Sequence, residues 1–367
     1  MLLKGIRKEV ENVNPYIAGM TIDEVKEAYG LEEIIKLGSN ENAYGPFKHA
    51  KQAMIDEINQ LFMYPDKTYE TLKIQLAKLY DVSPSQLALS HGAGGMLETL
   101  ARTFIEKDDE VLLPDQTYGL YREITHLMGG KIVSVPLDSA YRIDIEAMIQ
   151  KMTPKTKLIW LCNPNNPTGT VIAKDDFDRL LAQMNPHTWL VLDEAYAEFA
   201  AQHVLPDAID KIADGHNIII VRTFSKAYAL AGARVGYAIA SPEMIKVIET
   251  VAEPFNANRI GLAGAIATLK EDQQEYQQAL DAIVKDREVL MEALNALGIQ
   301  CVPSHANFIF CRTPYDVAQL SEQLLLKGVI IRPCTGWGYP DAFRITVGTT
   351  AENERFLAIF KEVIKAL

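Results

Sequence analysis

Cysteine is scarce: Cys162, Cys301, Cys311 and Cys334 are the only four in 367 residues. So few in so long a chain make no disulfide framework, and none falls in a Cys-x-x-Cys pair. Structural zinc and thioredoxin-like redox chemistry therefore have no motif to rest on, and no metal is implied. Long hydrophobic runs are missing too. Apolar stretches such as Leu158-Ile159-Trp160-Leu161-Cys162 are strand-sized and far short of a membrane span. The opening Met1-Leu2-Leu3-Lys4-Gly5 holds no apolar stretch of signal-peptide length, so a cytoplasmic location is expected. Positive charge is in deficit, with 36 Lys and Arg against 48 Asp and Glu and a net charge of −12. Such a field repels phosphate backbones and anionic lipid, so neither nucleic acid nor membrane is expected as a main partner, while a local basic pocket stays open. No repeat or low-complexity tract occurs. With 48% hydrophobic and 23% charged residues, the composition is that of an ordinary globular protein, and the length fits two domains.

From about residue 70 to 240, short apolar runs alternate with segments of helical period. The runs at 87–90, 110–113, 131–135, 157–162, 189–192, 217–221 and 235–240 read as strands. Met96, Leu97, Leu100, Ala101, Phe104 and Ile105 mark one face of an intervening helix, and Phe177, Leu180, Leu181 and Met184 another. Strands separated by helices need crossover connections, hence a mostly parallel, seven-stranded sheet covered on both faces. After Pro254 the pattern changes to a helical stretch over 262–297 closed by Gly298, short runs at 307–311, 329–332 and 343–347, and a helix near 316–327. A last helix carries Phe356, Phe360, Val363 and Leu367 on one face. The expected architecture is α/β. It has an N-terminal arm and helix over 1–35 that could pack with either domain, a large domain over 36–254 and a smaller α+β domain over 255–367.

Chemistry-bearing residues fall just after the strand candidates. Cys162-Asn163-Pro164-Asn165-Asn166-Pro167-Thr168-Gly169 follows a buried strand, at the edge where open α/β sheets bind ligands; equally, Asn, Pro and Gly make a stiff turn. In Trp189-Leu190-Val191-Leu192-Asp193-Glu194-Ala195-Tyr196 a hydrophobic strand ends in two carboxylates and a tyrosine. A carboxylate there caps the next helix, or holds a metal or a protonated heterocycle. The strand 218–221 delivers Thr223, Ser225 and Lys226 to the same edge, with Arg234 eight residues beyond Lys226. A lone lysine is usually a solvated charge. One placed after a buried strand, beside hydroxyls and an arginine, suits a carbonyl-reactive amine next to an anion site.

Ser90-His91-Gly92-Ala93-Gly94-Gly95-Met96 is a glycine-rich strand-to-helix turn whose backbone N–H groups suit a phosphate. It is no dinucleotide fingerprint, because Leu97 stands where the third glycine belongs, and His91 reads as structural. Each signal is ambiguous alone. Together an Asn-rich loop, a strand-end carboxylate, a lysine and a phosphate cup suit an aromatic aldehyde phosphate, pyridoxal 5′-phosphate (PLP). A nicotinamide oxidoreductase would want the glycine fingerprint. A non-catalytic regulator on this fold would be expected to lose the lysine or carry a DNA-binding appendage.

On these motifs the chain resembles the fold-type I PLP aminotransferases, and within them the histidinol-phosphate aminotransferase family, from Asn14-Pro15-Tyr16 to Phe343-Arg344-Ile345-Thr346-Val347-Gly348-Thr349. The resemblance implies that the large domain, 36–254, binds PLP and that Lys226 holds the cofactor covalently and moves the substrate Cα proton. It implies Asp193 at the pyridinium nitrogen, Asn166 and Tyr196 at the ring oxygen, and Tyr118 stacked on the ring. Phosphate would fall to the Ala93 and Gly94 amides, Ser225 and Arg234, with Thr223 a weaker candidate. Tyr64 would reach the phosphate of a neighbouring subunit, which implies a homodimer. Arg344 would clamp the α-carboxylate and Arg332 meet the distal phosphate, with Tyr16 and Asn307 as further pocket residues. The implied reaction is transamination between histidinol phosphate and 2-oxoglutarate in histidine biosynthesis. An aromatic or broad-specificity aminotransferase is the alternative, and a PLP-dependent amino acid decarboxylase a more distant one. One departure stands out: Gly94-Gly95-Met96 replaces the acidic pair usual in that family.

Overall fold

The computed structural model describes residues 5–13, 20–201 and 203–367. Its central sheet has seven strands: β1 (Leu87–Ser90), β2 (Glu110–Pro114), β3 (Lys131–Val135), β4 (Thr156–Cys162), β5 (Trp189–Asp193), β6 (Ile218–Thr223) and β7 (Gly236–Ile239). Their spatial order is β1-β7-β6-β5-β4-β2-β3. Only β7 runs antiparallel to its neighbours, so the C-terminal ends of β1, β4, β5 and β6 lie along one edge.

The continuous apolar runs follow from burial on both faces. Alternate residues Ile159, Leu161, Leu190, Leu192 and Ile220 join one core with Leu76, Phe177 and Leu180. Their neighbours Leu158, Trp160, Val191, Ile219 and Val221 join another with Met96, Leu97, Leu100 and Ile248. Each such Leu or Ile contributes roughly 1.5–3 kcal/mol through burial, which is why strand ends can carry polar residues without loss of the fold. Helix Gly92–Phe104 presents the apolar face read from its sequence and begins directly after β1.

A second, antiparallel sheet is formed by β8 (Gln300–Cys301), β9 (Phe308–Arg312), β10 (Arg332–Pro333) and β11 (Ala342–Thr346), in the order β10-β11-β9-β8. It packs with helices Gln273–Ala296, Val317–Leu326 and Thr350–Ala366 through Ile283, Leu290, Leu324, Phe343, Phe356 and Phe360.

Three features differ from or add to the sequence reading. The helical stretch at 262–297 is two helices, Arg259–Glu271 and Gln273–Ala296, broken at Asp272. The buried Asp272 carboxylate accepts the His49 and Ala50 amides at 2.9 and 2.8 Å and faces His49 Nδ1 at 2.7 Å. It thereby caps helix Lys48–Glu57, whose own N-cap position, Phe47, offers no side-chain acceptor. Arg259–Glu271 lies against that helix, with Gly264 placed so that a Cβ would come within 2.9 Å of Met54 Cγ, and Ala265 joins the core of the large sheet. The run at 329–332 is likewise split. Val329–Ile330 pairs in parallel with Ile35–Lys36, whereas Arg332–Pro333 pairs with β11, Pro333 sitting on the edge strand where a missing N–H costs no ladder bond. The third concerns a point the sequence left open: the N-terminal segment touches both units, with Arg7 Nη2 donating to Leu127 O at 2.6 Å and Ile35 packing in the smaller core. No helix among the described residues is long and apolar enough to cross a membrane.

Candidate active site

The Asn-rich loop after β4 is locked by its own side chains. Asn163 Oδ1 accepts the Ile172 amide at 2.9 Å. Asn165 Oδ1 accepts Thr117 Oγ1 at 2.8 Å, and its Nδ2 donates to Gln116 O and Thr168 Oγ1, both at 3.0 Å. The Asn166 side chain instead accepts Arg344 Nη1 at 2.6 Å from the smaller sheet.

At the end of β5 the paired carboxylates separate. Glu194 turns to Arg222, which donates to it at 2.6 and 2.9 Å. Asp193, opposite Cys162 in the sheet register, is 3% exposed. It accepts Tyr121 OH at 2.6 Å and the Ala195 amide at 3.1 Å, and joins no ion pair among the described residues. Burial lifts its carboxyl to about 6, against the pull of these two donors. Tyr121 is itself fixed, stacked on Trp160 with centroids 5.4 Å apart.

Lys226 follows β6. Its Nζ donates to Ser39 O at 3.1 Å and lies 5.6 Å from the Tyr196 ring centroid. Burial of the amine, reinforced by the positive charges of Arg344 and Arg234 and opposed by Glu41 and Asp193, brings it down to about 7. An amine so placed is substantially neutral, hence nucleophilic, near physiological pH. Burial pushes the Tyr196 hydroxyl up; it accepts Asn40 Nδ2 at 3.1 Å. Asn40 O in turn accepts Asn307 Nδ2 at 3.1 Å, which brings Asn307 into the group.

The glycine-rich turn after β1 closes against Arg234. A Cβ on Gly92 would meet Arg234 Nη2 at 2.6 Å, and one on Gly236 would meet Ala93 N at 2.5 Å. Arg234 Nη1 donates to Ser225 Oγ at 3.3 Å. Thr223 Oγ1 is spent on fixing Ser225, accepting its amide at 3.1 Å and donating to its hydroxyl at 3.0 Å. The Ala93 and Gly94 amides, Ser225 and Arg234 therefore converge at a helix N-terminus, a site shaped for an anion. The exposed His91 ring lies over Gly95, where a Cβ would come 2.5 Å from Nε2 unless the ring turned aside.

On the smaller sheet Arg332 and Arg344 are cross-strand partners. Arg344 is 5% exposed and also donates to Gly38 O at 2.8 Å. Tyr118 is half-buried and meets Tyr121 edge-on, centroids 5.5 Å apart. Tyr64 is placed elsewhere: it is 77% exposed, stacked on Phe255 at 4.6 Å. Tyr16 lies outside the described residues. The sequence reading assigned no role to Tyr121, Asn40 or Trp337. Tyr121 sits one helical turn beyond Tyr118, the spacing that could have flagged it. Asn40 carries no local signal, since Tyr196 is 156 residues away, and the bond that ties Trp337 to the large unit reaches Thr117, 220 residues away.

A large sheet with a lysine, a carboxylate and an anion cup along one edge, faced by arginines from a smaller sheet, defines an aminotransferase scaffold. Residues 32–360 match the family model for aminotransferase class I and II, and the chain belongs to that family. Among its relatives are histidinol-phosphate aminotransferases of Moorella thermoacetica, 38% identical over 98% of this chain and 92% of the relative, and of Bacillus velezensis, 36% identical over 98% and 99%. The solved histidinol-phosphate aminotransferase of Sinorhizobium meliloti, in complex with pyridoxal-5′-phosphate, superposes with a TM-score of 0.90 at 27% identity, covering 100% of this chain and 99% of that one.

Proposed function

We propose that the chain is a PLP-dependent aminotransferase that interconverts L-histidinol phosphate and 2-oxoglutarate with imidazole-acetol phosphate and L-glutamate, a cytoplasmic step of histidine biosynthesis. The residues present fit the cofactor. Asp193 is a buried carboxylate whose hydrogen bonds come from neutral donors, so a protonated ring nitrogen would supply its missing countercharge. Glycine at 92 and 236 lets the Arg234 guanidinium and the Ala93 amide come close to one another beside the Ser225 hydroxyl, a donor set that suits an ester phosphate. When bound, PLP supplies an electron sink for the carbanion formed at the substrate Cα.

In this reading the protein's own groups divide the remaining work. Lys226 would hold the cofactor, and its neutral amine would take the Cα proton. Asp193 holds a proton on the ring nitrogen. Asn166 and Tyr196 hydrogen-bond the ring oxygen, while Tyr118 covers the ring. Asn307 lines the substrate pocket, and Thr223 holds Ser225 at the phosphate. Arg344 takes the α-carboxylate of glutamate as a planar fork. L-histidinol phosphate has no carboxylate; its sole anion is a phosphate ester one carbon from the amine-bearing carbon, and Arg332 and Arg344 share it.

The carrying observation is a buried carboxylate and a buried amine whose charge Arg344 disfavours, with Arg332 directly opposite Arg344 on the neighbouring strand. Exposed Ile55, Ile58, Leu61, Phe62 and Tyr64 form an apolar surface around a ring meant for a neighbour's phosphate, which supports a homodimer.

Two measurements test the function. Adding L-glutamate to the yellow holoenzyme is expected to replace its visible band with that of the pyridoxamine form, and kcat/KM is expected to be higher for L-histidinol phosphate than for phenylalanine or tyrosine. Carbon dioxide release without the spectral change would instead mean decarboxylation. A third measurement concerns pH. The rate at which apoenzyme captures PLP covalently is expected to rise with pH through about 7, because only the neutral Lys226 amine attacks. In Arg344→Ala the midpoint moves up, since a cation that disfavours the ammonium is gone; a wild-type midpoint near 10.5, or no upward shift in the variant, contradicts this account.

A further inference from the structure

Two positive groups directly opposite each other on neighbouring strands repel, and beside the bonds of Arg344 to Asn166 and Gly38 O a π face touching both guanidiniums would offset that repulsion. Trp337 is placed to do so. It ends a short turn, Thr335–Trp337, that follows β10, and Gly338 beyond it adopts the left-handed conformation (φ 81°) that turns the chain back toward β11. The Arg332 guanidinium carbon lies 5.9 Å from the indole centroid and that of Arg344 5.6 Å, both within the range of a cation–π contact. The indole is oriented from the other side of the cleft: its Nε1–H donates to Thr117 O at 2.7 Å. Thr117 is itself tied by its hydroxyl to Asn165 in the loop after β4, and neighbours Tyr118. A single half-buried ring thus contacts both arginines of the smaller sheet and the ligand-facing loop of the larger one.

We infer that Trp337 is a positioning residue that makes Arg332 and Arg344 act as one clamp for a phosphate monoester, and that it determines preference for phosphorylated over carboxylate-only amino substrates. The inference rests on the substrate reading above and deepens it. The π face offsets the repulsion between the guanidiniums and restricts their rotamers, so both converge on one anion. A phosphate dianion uses both; a carboxylate is served by Arg344 alone. The bond to Thr117 ties the same ring to the ligand-facing loop of the large unit, while selection of phosphate rests on the π face.

The test uses holoenzyme with Trp337→Leu, which removes the aromatic face, and Trp337→Phe, which keeps a face but loses the N–H. For Trp337→Leu the kcat/KM ratio of L-histidinol phosphate to L-phenylalanine is expected to fall by about tenfold or more, mostly through KM. Trp337→Phe should keep the ratio within about threefold of wild type. A ratio unchanged in Trp337→Leu, or an equal loss for both substrates, overturns the inference. A binding arm needs no turnover: inorganic phosphate titrated into wild-type holoenzyme should change tryptophan emission, and the change should vanish in Trp337→Phe, where Trp160 and Trp189 remain, and in Arg332→Ala. Persistence of the signal in Trp337→Phe overturns the inference as well. Wild-type enzyme that bleaches with glutamate yet shows no preference for L-histidinol phosphate defeats the substrate assignment instead, and the emission arm then decides the role of Trp337.

Discussion

Lys226→Ala is expected to lose turnover in the glutamate half-reaction by on the order of 10⁴-fold or more, while remaining folded. The size of the loss follows from what surrounds the amine. Tyr196 and Cys162 are held protonated by burial, the guanidiniums of Arg344 and Arg234 do not deprotonate, and Asp193 is committed to Tyr121 and the Ala195 amide. Glu41, whose charge also reaches the amine, is paired with Lys36 at 2.8 Å, so among these described neighbours none is a ready second base for the Cα proton. Stability should move the other way. The folded-state amine titrates at about 7, well below 10.5, so the unfolded chain binds more protons in that window. The penalty of keeping this amine is therefore fully present below about 7 and fades as pH rises toward 10.5. Apo Lys226→Ala should match or exceed apo wild type in thermal midpoint, with the gain largest at pH 6 and shrinking by pH 9. Stopped-flow absorbance with L-glutamate measures the rate, and half-reaction turnover within tenfold of wild type would remove Lys226 from the chemistry.

The lysine and its carboxylate were readable because each lies at the end of a buried apolar strand, where a polar residue is conspicuous. Helix Gly92–Phe104 declared itself by the period of one buried face, and the strands as unbroken apolar runs because both of their faces are buried. The residues that tune the site escaped because their partners are remote in sequence. Tyr121 meets Asp193 across the sheet, Asn40 reaches Tyr196 from a loop that precedes the sheet, and Trp337 spans two units. The break at Asp272 had the same origin. Within 262–297 the chain is helical by local preference, and only the unsatisfied amides of Lys48–Glu57 give a carboxylate there a reason to interrupt it. In the same way 329–332 looks like one strand until Ile35–Lys36 competes for its first half.

Asp193→Asn should reduce turnover by about 10³-fold, second only to loss of the lysine, because an amide cannot hold a proton on the ring nitrogen as a carboxylate does. Its effect on stability should reverse between apoenzyme and holoenzyme. In the apoenzyme burial raises the carboxyl from 3.8 to about 6, so the folded chain binds more protons than the unfolded one in that window. Stability is then lost as pH rises through it, and above about 6 the buried anion carries a full penalty of roughly 3 kcal/mol. Apo Asp193→Asn should accordingly be more stable than apo wild type at pH 8 and no different at pH 3. With PLP bound, the protonated ring compensates the wild-type anion but not the amide, so the thermal shift on adding cofactor should be several degrees smaller in the variant. Tyr121→Phe is the graded control: it keeps the carboxylate and removes one hydrogen bond to it, and should weaken PLP affinity and turnover by about tenfold. A cofactor-induced shift in Asp193→Asn equal to that of wild type would mean that the carboxylate and the ring nitrogen do not form a charge pair.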